Sequence, residues 1–146
     1  MNLNMTIAER EAFLRDVHVG VIGIEQPGGS PLAVPVWYDF EPERGVWLVT
    51  GSDSLKAELL RRARRFTLCA QTETPPAYRY VSVEGPVVDT RAAELERDRR
   101  PIARRYLGKE LGDLYVKGQP GDGEVVFTMR PERWRTIDYG KLGAGS

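Results

Sequence analysis

Polar and apolar positions change period several times along this chain, and each change marks an element. Thr6 and Glu9 have capping-box spacing, so a helix is expected to open there, with Ile7, Phe13 and Leu14, helped by Ala8 and Ala12, on its apolar face. HVGVIGIEQ then reads as a strand from about Val17 to Gln26, PGGS as a turn and SPLAVPVWYDF as a second strand, the pair forming a hairpin. Pro35 lies inside that second strand and cannot donate to a ladder, which predicts an edge or a bulge. EPERG is a turn and VWLVT (Val46–Thr50) a third strand. Ser52, Asp53 and Ser54 are all N-cap residues, and Leu55, Leu59, Leu60 and Ala63 recur at helical spacing behind them.

RFTLCAQ predicts a fourth strand and TETPPAYR a loop. In YVSVEGPVVDT, Val81 and Val83 alternate with Ser82 and Glu84, the period of a half-buried strand. Thr90 is expected to open a charged helical region, RAAELERDRRPIARRYL, divided near Pro101. GQPGDG reads as a loop, EVVFTMRP and RWRTIDYG as two final strands, and GAGS as a frayed tail. The result is about seven short strands with short helices. Hairpin-joined strands at this spacing favour an antiparallel barrel over a doubly wound sheet, in one domain spanning residues 1–146.

Composition narrows the classes. Formal net charge is zero, against a dedicated nucleic-acid binder. One cysteine, Cys69, excludes an internal disulfide framework and fits a reducing cytoplasm. The N-terminus lacks a signal-peptide pattern, and no apolar run is long enough for a membrane span. No Cys/His spacing suits zinc, no phosphate-binding glycine loop follows a strand, and no hydrolase triad can be assembled around a single histidine. His18 reads as a junction residue making local hydrogen bonds rather than a general base. Cys69 reads as a small buried hydrophobe, and Glu84 as solvent-facing or paired with an arginine. Without a set of reactive side chains, enzymatic chemistry would have to come from a bound cofactor.

The best candidate contact for one is TGSDSLKAELLRRARR, Thr50 to Arg65. Gly51 permits close backbone approach after the strand, and a helix N-terminus follows, which favours an anion. Thr50 and Ser54 add hydroxyls. Lys56 is one of only four lysines beside 17 arginines. A lysine in a first helical turn opposes the helix dipole, a small cost that an anion between them would offset; the alternative is a side chain turned to solvent. Arg61, Arg62, Arg64 and Arg65 form either a basic groove for an acidic ligand or a solvated helix face.

T-x-x-x-S-x-K-A after SPLAVPVWYDFEPERGVWLVT, then YRYVSVEGPV and VVFTMRPERWRTIDYGK, resembles in order and spacing the pyridoxamine 5′-phosphate oxidase-like superfamily from about Phe13 to Lys141. The resemblance implies a six- to seven-stranded antiparallel split β-barrel of the FMN-binding type, and a homodimer with cofactor sites at its interface. It assigns Thr50, Ser54 and Lys56 to a cofactor phosphate, Val34, Pro35, Val36 and Trp37 to the cofactor ring, and Tyr80 to its vicinity. Leu55 stands where the true oxidase carries an arginine, and Leu32 and Trp37 fall where it carries basic residues. Its C-terminal Arg/His pattern is also absent, against pyridoxamine phosphate as substrate. VPVWY, S-x-K-A-x-x-L-R-R and TPPAYRYVSVEG are more similar to an actinobacterial branch that uses the deazaflavin coenzyme F-420, with FMN-binding relatives. The expectation is a cytoplasmic oxidoreductase moving a hydride between F-420, or else FMN, and a small organic substrate. Tyr38 or Tyr139 would supply a proton. The alternative is a non-catalytic protein of the same fold that stores or senses the cofactor.

Overall fold

The structure, a computed structural model, describes residues 2–119 and 121–144. Eight strands form a mainly antiparallel sheet curled into a split barrel: β1 (Gly20–Ile24), β2 (Leu32–Val36), β3 (Asp39–Glu41), β4 (Gly45–Gly51), β5 (Arg65–Gln71), β6 (Arg79–Ala92), β7 (Glu124–Met129) and β8 (Arg133–Asp138). The strand order is β2-β1-β5-β6-β7-β4-β3, with β8 also on β6. The helices are α1 (Ile7–Arg15), α2 (Leu55–Ala63), α3 (Arg100–Gly118, entered through a π-helical turn, Leu95–Arg99) and α4 (Gly140–Ala144). No helix among the described residues is long and apolar enough to cross a membrane.

The expected second strand is two strands. β2 pairs with β1, and β3 pairs with β4 at the opposite edge, so the chain changes sheets at Trp37–Tyr38. That connection ties the two edges together. β2 is an edge strand, which is how Pro35 is accommodated opposite Val21. Strand β6 is shared by both halves. Arg79–Pro86 pairs with β5 and Val87–Ala92 with β7, with a bulge between Val87 and Asp89. Gly85 sits at this bend because a Cβ there would lie 1.8 Å from the Arg130 carbonyl oxygen. The helix expected from Thr90 begins later, since Thr90, Arg91 and Ala92 still pair with β7.

The barrel interior takes alternate residues from each strand: Ile22 and Ile24, Val46 and Leu48, Phe66 and Leu68, Val81 and Val83, Val125 and Phe127. Helix α1 adds Phe13 and Leu14, and α2 adds Ala57, Leu59 and Leu60. The capping box at Thr6 and Glu9 is present, and the Glu9 carboxyl, bonded by Lys141 and the Thr6 N–H, is held down at about 2. Ile7, Ala8, Ala12 and Leu55 are exposed, so they do not contribute the apolar faces expected of them. Of the GQPGDG loop, residue 120 lies outside the described residues. In the GAGS tail the first two residues are helical, and the last two lie outside them.

Candidate functional site

Strand β4 is apolar on both faces because both are covered. Val46 and Leu48 face the barrel, while Trp47 packs with Val126 and with Ile102 of α3 in a second, smaller core. Helix α3 has two halves joined at Gly108, whose φ of 82° and ψ of 171° break the helix as only glycine does without strain. The halves fold back on each other. Gly112 lies against the Ala103–Arg104 backbone, and Asp113 accepts from Arg104 (2.8 Å) and Arg100 (2.6 Å), which hold its carboxyl at about 2.

Two anchors fix α3 over the sheet. Asp98, 0% exposed, accepts from Arg91 (2.6 and 3.0 Å), Arg44 (2.5 Å) and the Glu94 N–H (2.8 Å). The Arg105 guanidinium donates to the carbonyls of Leu14, Arg15 and Asp16, capping α1. Tyr106 donates to the His18 carbonyl (2.5 Å) and accepts from the Tyr38 N–H (3.2 Å). Trp37, 39% exposed, stacks on Tyr106 with centroids 4.8 Å apart and planes 8° from parallel, and Tyr115 tilts against it at 6.3 Å.

Between α3 and the sheet this leaves a cleft of about 360 Å³. Pro35, Val36 and Trp37 form one wall, Leu48 and Val49 the floor, Ile102, Ala103, Tyr115 and Val116 the roof, and Lys56, Arg99 and Glu124 are its charged groups. A cavity of this size, lined by apolar and aromatic residues with a few convergent charges, is the usual form of a small-ligand site.

Lys56 is the second residue of α2, and its side chain has no ion pair or hydrogen bond among the described residues. Ser54 is the N-cap: its hydroxyl accepts from the Ala57 N–H (3.1 Å), donates to the Gly51 carbonyl (2.7 Å) and meets the Thr50 hydroxyl at 3.1 Å. Arg61 braces the same turn by donating to the Ser52 carbonyl and hydroxyl, both at 2.8 Å. Thr50 and Ser54 therefore build the helix mouth, and Lys56 brings the charge to it.

Of the expected contacts, Pro35, Val36, Trp37 and Lys56 line the cleft, whereas Thr50, Gly51 and Ser54 do not line it and instead form the turn that leads from β4 into α2. Val34 is not a lining residue; it packs on the barrel core. Leu55 projects outward, 50% exposed. Tyr80 is on the outer face of β6, opposite Gln71 and Ile137 and away from the cleft.

Sequence reasoning missed Arg99, Ile102, Ala103, Tyr115, Val116 and Glu124. The usable signal was the apolar set Ile102, Ala103 and Tyr106 behind Pro101.

Other candidates fall away. Tyr38 is fully buried, donates to the Leu14 carbonyl (3.0 Å), and burial pushes its phenol up; Tyr139 does not line the cleft. His18 stacks on Phe13 at 4.3 Å, its Nε2 is buried without a partner among the described residues, and burial lowers its pKa. Cys69 is only half-buried, with its thiol pushed up by burial, and Glu84 pairs with Arg135, Arg133 and Arg65. No group of acidic, histidine or cysteine side chains among the described residues could hold a metal ion.

Residues 6–138 match the family described as pyridoxamine 5′-phosphate oxidase. Among solved structures, a conserved hypothetical protein, Rv2991, from Mycobacterium tuberculosis superposes with a TM-score of 0.79 at 27% identity, over 97% of this chain and 89% of that one. An F-420 reductase gives 0.60 at 18% identity over 86% and 94% of the two chains. A FAD-binding protein from Mesorhizobium loti gives 0.66 at 16% over 92% and 96%. The last two show likeness of fold alone. No curated protein matches the sequence.

Proposed function

The chain belongs to the pyridoxamine 5′-phosphate oxidase family, and from that premise we propose that it is an oxidoreductase holding F-420, or else FMN, with its ring in the cleft and its phosphate at the mouth of α2. The observation that carries this reading is the convergence of an unpaired Lys56, a capped helix N-terminus and an apolar slot walled by Pro35, Val36 and Trp37. The residues fit such a group: apolar and aromatic side chains line the slot, and Lys56 and Arg99 bring positive charge to it. Solved relatives described as an F-420 reductase and a FAD-binding protein share the fold and add support.

When bound, the cofactor supplies hydride transfer. The protein's own part is binding, orientation and exclusion of water. Lys56 and the first N–H groups of α2 take the phosphate charge. Thr50 and Ser54 fix the helix mouth. Trp37, held flat by Tyr106, sets the plane of the slot, and α3 roofs it. Leu55 and the partly buried Leu32 offer no charge to a pyridoxamine phosphate, so the substrate is a different small organic molecule.

A homodimer in the cytoplasm, folded as one domain, is part of the same reading. The outward residues Pro35, Val21, Cys69 and Ser82 stand side by side across β2, β1, β5 and β6, and Val19 and Val21 are exposed. A second copy seated on this small, largely apolar face would bring Tyr80, which shares that face, toward the other copy's cofactor. Gel filtration with light scattering tests the dimer. Spectroscopic titration with F-420 and FMN tests the cofactor, and failure to bind either at micromolar concentration would sink the reading. Binding without turnover of quinones or enones would favour a storage or sensing role.

A further inference from the structure

A second cation reaches the cleft from a part of the chain far from α2. Arg99 ends the π-helical turn, its side chain is only 9% exposed, and it lines the cleft together with Lys56. Its Nε donates to Glu124 Oε1 at 3.1 Å and its Nη2 to the Gln119 carbonyl at 2.7 Å. Gly121 makes room for it, since a Cβ there would stand 2.6 Å from Nη1. Glu124 is the register partner of Gly51 across β4–β7, and the Ser52 N–H donates to the Gly123 carbonyl at 2.6 Å. The Arg99–Glu124 pair is therefore one strand spacing, about 5 Å, from the residue that leads into α2. Lysine and arginine with one carboxylate give this end of the cleft a formal charge of +1.

We propose that Arg99 is the second phosphate-binding cation of this site, and that Glu124 is the counter-ion which holds it in place and competes with the ligand's phosphate for it. The proposal rests on the reading that a cofactor phosphate is seated at Lys56. Guanidinium prefers a fork of oxygens, which phosphate supplies as well as carboxylate. With Leu55 apolar and turned outward, the first turn of α2 offers only Lys56 as a cation, and Arg61 from its last turn is engaged at Ser52. A carboxylate beside the anion weakens binding, so Glu124 sets an upper limit on affinity while it keeps Arg99 ordered.

The test compares each cofactor with its phosphate-free core, FMN against riboflavin and F-420 against its ring–ribityl portion, by equilibrium titration of the full chain. Arg99→Gln should cut affinity for the phosphorylated form at least about tenfold and leave the core's affinity unchanged. Glu124→Gln should do the opposite and tighten the phosphorylated form alone, an effect that a purely structural Arg99–Glu124 pair would not produce. If Lys56→Ala abolishes the preference for phosphate while Arg99→Gln and Glu124→Gln leave it intact, the inference falls and the cofactor reading stands. If Arg99→Gln fails to fold, an unchanged or weakened Glu124→Gln overturns the inference by itself. If wild type binds none of the four ligands, both fall.

Discussion

Asp98→Asn removes the charge at the centre of the anchor that holds α3 over the cleft. The carboxylate is fully buried between Arg91 and Arg44 and also accepts the Glu94 N–H. Removing one partner of a buried ion pair costs roughly 3–5 kcal/mol, because the other charge is left without compensation. Here the arginine side chains are 25% and 16% exposed, so water recovers part of the loss and about 3 kcal/mol is expected, at the lower end of that range. For a chain of this size that lowers the melting temperature by roughly 10 °C. Calorimetry and urea unfolding at pH 7 measure it.

The pH dependence follows from the same carboxylate. Burial works to raise its pKa, but Arg91, the Glu94 N–H and Arg44 together outweigh burial and hold it below the ordinary range. A group depressed in the folded state contributes its stability above its unfolded pKa of about 3.9 and loses it as pH falls toward the folded value. The gap between wild type and Asp98→Asn should thus be full at pH 7 and close below about pH 4. A change within about 0.5 kcal/mol at pH 7, the range of an ordinary surface substitution, would refute the argument that this network holds α3 down.

Two further substitutions probe what positions the site. Gly85→Ala drives a methyl into the Arg130 carbonyl at the β6 bend and should cost at least about 3 kcal/mol or prevent folding, read by urea unfolding; near-neutrality would mean the bend relaxes freely. Arg105→Met leaves the Leu14, Arg15 and Asp16 carbonyls without their charged donor and should cost about 2–3 kcal/mol, with faster amide exchange in α1; unchanged exchange there would show that α1 does not depend on α3.

Most of the barrel was legible because its strands carry their own periods and turns. Val81 and Val83 against Ser82 and Glu84 read directly as one buried face, and of the edge or bulge that Pro35 called for, the structure has the edge. The failures occur where distant contacts override local pattern. Thr90 to Ala92 look helical but pair with Val125, Val126 and Phe127, so β6 runs on. SPLAVPVWYDF is continuous in sequence, yet Trp37 and Tyr38 leave the ladder where Tyr106 captures the Tyr38 N–H. The cleft was half visible. Lys56 follows a readable helix start and Pro35 lies in a readable strand, whereas Arg99, Ile102 and Tyr115 meet only because α3 folds back at Gly108. Gly108 permits that fold-back, but an isolated glycine is also tolerated inside a helix, so the sequence alone did not announce it.

The most direct test of the account is one titration: F-420 and FMN added to wild type and to Lys56→Ala, followed by cofactor absorbance and Trp37-sensitive fluorescence. The account predicts micromolar or tighter binding of at least one cofactor by wild type, weakened by about 1.5–3 kcal/mol in Lys56→Ala through the lost charge-assisted contact. Equal affinity in the two proteins, or no binding by wild type, would contradict it.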